Sequence, residues 1–359
     1  MTKNKLNVRQ VCLLFITFSI AIKIITLPSI VAGISNEGMW ISVLLNFIID
    51  GAMILYILKM SEKFKGLTFF QILEVNLGSV PAKIVTFAYF IYFILKAYVP
   101  IMEQKSFVEI SLYETTHVVL IFAPIFLVSC FVSYKGIKTV GRLSDLLIWA
   151  IGFSVAVLIT LSIPSANFSE ILPIVGVPMK QIADGSFAGL LWFFDSSYLL
   201  FLIGNFRHEN KTKTKITLSY GICALVTVVF FIILYCEFGP LTARQHFAPI
   251  TMGKYYLSMS NSGRIDYVAG VALAIVCVFA STLPLVFSTL ALSHTFNFKH
   301  KIIPCLIVNG ISALLFLSTQ NFFFETFGLM QKFGIYYMLI LSYALPLILL
   351  FFKKGRVGK

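Results

Sequence analysis

Ten stretches of this chain are each apolar over roughly the length of a bilayer crossing, and that repetition leaves few architectures open. A spanning helix needs about 20 predominantly apolar residues. Segments 10–32, 39–58, 82–101, 117–134, 143–163, 185–206, 216–238, 266–290, 302–318 and 333–352 each approach or exceed that length. No stretch between them is longer than 27 residues, which leaves no room for a soluble catalytic domain. The expectation is one membrane domain over 1–359, all-α and integral to the membrane, with ten transmembrane helices. Composition agrees: only 12% of the residues are charged, against about a quarter in a soluble domain.

Charge placement gives an orientation. The basic front of the first segment (Lys3, Lys5, Arg9) has the look of a signal peptide. Its apolar run is too long, however, Lys23 interrupts it, and no small-residue cleavage site follows, so it is read as a retained helix. Of the 28 Lys and Arg residues, 20 fall in the segments that are inside if both termini are cytoplasmic. Six fall in the outer loops, and Lys23 and Lys96 lie within helices. Cytoplasmic loops carry the excess of Lys and Arg, so both ends are expected inside. The net charge of +13 then follows from topology and anionic lipid, with no need for nucleic acid. The six cysteines (12, 130, 223, 236, 277 and 305) stand singly in apolar stretches, which predicts small buried hydrophobes with no disulfide framework or zinc site.

Transporter folds often hold inverted repeats whose sites lie at mid-membrane, where one helix in each half is interrupted. The first segment reads Thr17-Phe-Ser-Ile-Ala-Ile-Lys-Ile-Ile-Thr-Leu-Pro28, with Lys23 near its middle and Pro28 five residues on. Pro28 removes a backbone donor and disfavours helix at Leu27. The sixth reads Leu190-Leu-Trp-Phe-Phe-Asp-Ser-Ser-Tyr198, with Asp195, Ser196 and Ser197 near its middle. The chain is thus expected to be a 5+5 inverted repeat with broken helices 1 and 6, the first repeat ending at 163 and the second opening at 185.

An ionisable residue at the bilayer centre costs about 2.5–3.5 kcal/mol on insertion scales and is a functional-site hypothesis by default. Lys23 lies 14 residues past Arg9, about 21 Å along a helix. It is read either as a ligand contact or coupling cation, or as half of a structural pair with Asp195 or Asp50. Asn46 and Asp50 are four apart on one face of the second helix, which suits interhelical hydrogen bonding as well as a ligand role. Lys96 falls near the outer end of the third segment, where it can snorkel. Ser281 and Thr282 precede Pro284 in the eighth and are candidate pocket residues. His117, His208, His246, His294 and His300 sit at helix ends or in loops, none at metal-ligand spacing from another. The phosphate-loop, His-Glu-x-x-His and Gly-x-Ser-x-Gly patterns are absent, as are glycine-rich channel filters. No enzyme activity, cofactor or metal is expected.

Several stretches, in order, resemble the B subunit of the spore germinant receptors, a branch of the amino acid–polyamine–organocation permease superfamily. They are Ile25-Thr26-Leu27-Pro28, Gly136 with Arg142 at the start of the fifth helix, and Asn167-Phe-Ser-Glu-Ile-Leu-Pro173-Ile-Val-Gly176. Gly239-Pro-Leu-Thr242 and Gly263-Arg264-Ile-Asp266 follow. Where the family's first helix commonly has Gly-Ala-Gly, this chain has Ala21-Ile22-Lys23, so a glycine-lined cradle for a carboxylate is replaced by an ammonium. The resemblance implies a nutrient receptor of the bacterial spore inner membrane, with an A subunit and a C-subunit lipoprotein as partners. The implied ligand is an amino acid or similar small nutrient, bound between helices 1 and 6 and contacted from helices 3 and 8. The candidate ligand residues are Ala21, Ile22, Lys23, Thr26, Phe194, Asp195, Ser196, Ser197, Ser281 and Thr282, and Lys23, Asp50 and Asp195 are the coupling or structural charges. The rivals are a proton-coupled amino-acid permease with the same fold and an ion-conducting subunit.

Overall fold

The computed structural model describes residues 5–64, 66–111, 117–172, 176–252 and 265–351. Pro173, Gly263 and Arg264, parts of the motifs quoted above, lie outside the described residues. Helix α1 (Val8–Lys23) opens on a capping box in which Asn7 and Gln10 satisfy each other's backbone donors. It stops at Lys23, and α2 (Leu27–Ser35) restarts with Pro28 in its first turn, where the missing N–H is no loss. The apolar segment 10–32 is therefore two helices joined by a non-helical Ile24–Thr26 link.

The chain continues through α3 (Met39–Lys63), α4 (Phe69–Leu77), α5 (Ser79–Ser111), α6 (Val118–Lys135) and α7 (Ile137–Ser162). The sixth segment is broken like the first. Helix α8 (Met179–Gly189) runs into a 3-10 turn at Leu190–Trp192, and α9 (Ser196–Leu202) follows after three further residues. Then come α10 (Thr212–Phe238), α11 (Ala248–Thr251), α12 (Ile265–Phe296) and α13 (Ile302–Thr319). The last apolar segment is α14 (Phe323–Leu329), α15 (Ile335–Leu339) and α16 (Leu345–Phe351), joined by π-helical turns at Met330–Gly334 and Ile340–Ala344. Among the described residues, eight helical stretches are long and apolar enough to cross a membrane, and Leu120–Lys135 is a shorter apolar helix. Leu127, Trp149, Leu314 and Phe333 point outward, which fits a hydrocarbon surrounding rather than water.

One boundary differs in a way that matters. The third segment reaches Ser111 instead of ending near residue 101, because α5 carries Pro100 inside it without stopping. Neighbouring helices make this tolerable within a membrane bundle. Helices α5 and α12 form the most extensive helix pair; α1 packs on α7, α10 and α12, and α2 lies against α8. Helix α9 is buried throughout, whereas α8 leaves Met179 and Phe187 exposed. At the α1 end, Leu6 N–H donates to the Asn205 carbonyl at 2.8 Å and Arg207 N–H to the Leu6 carbonyl at 3.0 Å. This short bridge ties the start of α1 to the loop after α9. Gly204 in that loop has φ of +79° and passes so close to Leu67 that a Cβ would stand 2.7 Å from its carbonyl oxygen, so only glycine fits there.

Candidate functional site

Both breaks leave backbone groups without helical partners, and different elements cover them. At the first, the Ile25 carbonyl accepts from Ala248 N–H at 3.3 Å, so α11 covers the gap. At the second, the Phe193 carbonyl accepts from the Lys96 ammonium, and the Phe194 carbonyl accepts from the Ser197 hydroxyl at 2.7 Å. Phe194 has φ of +64°, an uncommon conformation for a bulky residue; such backbone persists only where its surroundings over-determine it. Its ring packs edge-on against Tyr343 at 5.2 Å.

Lys23 and Asp195 meet directly. The ammonium lies 2.6 Å from Asp195 Oδ2, with the two side chains 0% and 1% exposed. Ser19 bridges them, its hydroxyl accepting from Lys23 at 2.8 Å and donating to Asp195 at 2.7 Å. The ammonium also stands 4.7 Å from the Phe193 ring centroid, a cation–π contact that adds to the pair. Asp50 does not touch Lys23. It closes the second break instead, Oδ2 accepting from Asp195 N–H at 2.6 Å and Oδ1 from Ser196 N–H at 3.3 Å. Tyr220 donates to Oδ2 at 3.0 Å and Tyr343 to Oδ1 at 3.2 Å. Four donors on one carboxylate leave no vacancy on it. Asn46, on the same face, exchanges hydrogen bonds with Ser186 of α8, donating to its carbonyl at 2.8 Å and accepting from its hydroxyl at 2.6 Å.

The remaining sequence candidates divide. Thr26 donates to Glu103 Oε1, joining the first break to α5. The Ala21 carbonyl accepts a weak contact from Cys277 Sγ at 3.8 Å. Ser281 donates to the Pro100 carbonyl at 3.2 Å, whereas Thr282 spends its hydroxyl on Phe279 of its own helix. Among the described residues, Ser196 Oγ has no hydrogen-bond partner.

Three residues absent from the sequence candidates belong to this neighbourhood. Lys96 is 6% exposed and does not snorkel; since α5 extends past Pro100, it lies mid-helix and its ammonium turns to the second break. Glu103 is 2% exposed and receives Trp192 Nε1–H on Oε1 at 2.8 Å. Tyr198, also buried, begins the body of α9. A cavity of about 10 Å³ is lined by Ile22, Lys96, Pro100, Trp192 and Tyr198, among others, room for about one water. The signal that finds Lys96 and Glu103 in the sequence is their seven-residue spacing, two turns on one helix face, once α5 is allowed to continue through Pro100. Among the described residues, no group of three or more His, Cys, Asp or Glu gathers in metal-binding fashion.

A family model described as spore germination protein matches residues 5–323. Among solved structures, a manganese transporter of Eremococcus coleocola, in complex with an aromatic bis-isothiourea substituted compound, is similar with a TM-score of 0.54 and 11% identity. That likeness covers 94% of this chain and 76% of the transporter. A mutant of the same transporter gives 0.48 at 12% identity over the same shares. At 11% identity the likeness is one of fold: an all-helical membrane architecture shared with that transporter. No curated protein matches the chain in sequence.

Proposed function

Because the chain belongs to the spore germination protein family, we propose that this permease-like membrane protein is the nutrient-sensing B subunit of a spore germinant receptor. In this reading it resides in the spore inner membrane with both termini cytoplasmic. A small nutrient, an amino acid first, binds where the two helix breaks face each other. Its binding repositions α1–α2 and α8–α9, and the change passes to the receptor's A subunit and C-subunit lipoprotein. The observation that carries the reading is the buried Lys23–Asp195 contact linking the two broken helices. A charged pair inside a membrane bundle is costly, and here it fixes the relation between the two elements that a permease-type fold uses to open and close. A ligand shifts such an equilibrium only by its differential affinity for the two states, so a nutrient that binds the rearranged state more tightly draws the two breaks out of the Lys23–Asp195 arrangement. A proton-coupled permease for the same nutrient would use the same fold.

Purified protein in liposomes separates the two. Labelled amino acids are tested for binding and, separately, for accumulation under an imposed proton gradient. Saturable binding without accumulation is expected for a sensor; gradient-driven uptake makes the protein a transporter first. On the monodisperse fraction, Lys23→Met and Asp195→Asn are each expected to weaken binding at least tenfold, and unchanged binding in both would reject the site.

A further inference from the structure

The charges at the core of the site are not all matched. Lys23, Asp195 and Asp50 are spoken for by each other, by Ser19, by two backbone N–H groups and by two tyrosines. Lys96 and Glu103 are not. Among the described residues, no carboxylate forms an ion pair with Lys96 and no cation forms one with Glu103. The Lys96 ammonium donates to a peptide carbonyl and stands 5.2 Å from the Tyr198 ring centroid. Glu103 has its donors Thr26 and Trp192 both on Oε1, while Oε2 is buried with no hydrogen-bond partner among the described residues. The buried Tyr198 hydroxyl has no partner among them either. Buried polar groups are ordinarily satisfied, and each exception calls for a reason. These exceptions gather about one cavity: Lys96 and Tyr198 line it, and Glu103 is bonded to Trp192, which lines it as well. Pro100, also in the lining, cannot supply the N–H that the Lys96 carbonyl would accept in a regular helix.

The spacing specifies a ligand. Lys96 and Glu103 are seven residues apart on α5, a rise of about 10.5 Å. An α-amino acid has its ammonium and carboxylate about 3 Å apart, and with one charge-assisted hydrogen bond at each end the span is about 9 Å. We propose that Lys96 and Glu103 are the two poles of the nutrient subsite, Glu103 taking the ligand's ammonium and Lys96 its carboxylate. This rests on the nutrient-binding function proposed above and gives that site its polarity and its contact helix, α5. In the present state the cavity holds no more than a water, so the subsite is contracted and opens by displacement of Trp192. Because Trp192 belongs to the turn that precedes the second break, filling the subsite moves the broken helix directly.

The test uses the full chain in detergent or nanodiscs. The twenty proteinogenic L-amino acids are screened by direct binding. The tightest binder is then compared with its decarboxylated amine and its deaminated acid. In the wild-type protein, removing either charged group from the ligand is expected to weaken binding at least tenfold. Glu103→Gln is expected to weaken the amino acid at least tenfold while leaving the deaminated acid within twofold, and Glu103→Asp falls between. Lys96→Met is expected to weaken the amino acid similarly while leaving the amine within twofold. An amino acid that binds Glu103→Gln as well as wild type, or a wild-type protein indifferent to loss of the ligand's amino group, would overturn the assignment and leave nutrient sensing standing. Should Glu103→Gln not fold, Glu103→Asp and Lys96→Met carry the test, and an amino acid that both bind as tightly as wild type overturns the assignment. If none of the twenty binds the wild-type protein, the nutrient-binding premise falls and this assignment with it.

Discussion

Two groups of buried charge occupy the interior of this bundle, and they differ in how completely they are matched. In one, Lys23, Asp195 and Asp50 use nearly all of their hydrogen-bonding capacity on protein partners, and each charge lies among donors or acceptors that suit it. In the other, Lys96 leans on a carbonyl and Glu103 leaves one oxygen bare. Taking an ion out of water costs several kcal/mol, recovered only by good geometry and further hydrogen bonds. The matched group is built to hold two broken helices in one arrangement; the unmatched pair keeps part of its interaction energy unspent.

Substitutions sharpen that contrast, beginning with the one expected to do most damage. Lys23→Met strips the buried Asp195 of its counter-ion and is expected to cost about 3–5 kcal/mol, read as a lowered Tm in detergent. Adding Asp195→Leu to that variant should recover most of the loss, and a single variant as stable as wild type would dissolve the distinction. Asp50→Asn comes next. It places an amide where two backbone N–H groups and two tyrosine hydroxyls converge, at an expected cost of about 2 kcal/mol, visible in the same melting assay and as faster amide exchange at Asp195 and Ser196. Glu103→Gln should do least, within about 1 kcal/mol of wild type and of either sign, because it keeps the acceptor for Thr26 and Trp192 while removing a buried charge that no cation among the described residues pairs with. A melting loss as large as that of Lys23→Met would mean that Glu103 is matched after all.

Much of this arrangement is legible in the sequence. Runs of apolar residues near bilayer length marked the helices. Pro28 and the Asp195-Ser196-Ser197 cluster located the breaks, since a proline and a polar knot interrupt a membrane helix for plain steric and solvation reasons. The sequence named Asp195 and Asp50 as alternative partners for Lys23; the structure pairs Lys23 with Asp195, because Asp50 is taken up by the backbone of the second break. The sequence puts Lys96 near a helix end for a specific reason: apolar patterning thins around Glu103, Gln104 and Lys105, which sets the expected end of the third helix near residue 101, when it continues to Ser111. The π-helical turn at Ile340–Ala344, which presents Ser342 to Tyr92 at 2.7 Å and Tyr343 to Asp50, leaves no mark that periodicity can detect, because a single extra residue per turn shifts register only locally.

The Lys23–Asp195 contact also bears on how the protein is made. Its two halves are 172 residues apart in the chain, and synthesis at about 5–20 residues per second puts on the order of ten to thirty seconds between them. Through that interval the ammonium of α1 lacks the carboxylate it pairs with in the finished bundle, while the second to fifth hydrophobic segments are already being delivered to the membrane. The first helix must therefore wait in a provisional position, its lysine drawn toward headgroups or shielded by the insertion machinery, and settle only when α8 and α9 arrive. Assembly of the amino-terminal half is thus completed by the carboxy-terminal half, and a chain truncated before residue 195 is expected to be a substrate for membrane quality control rather than a stable half-bundle.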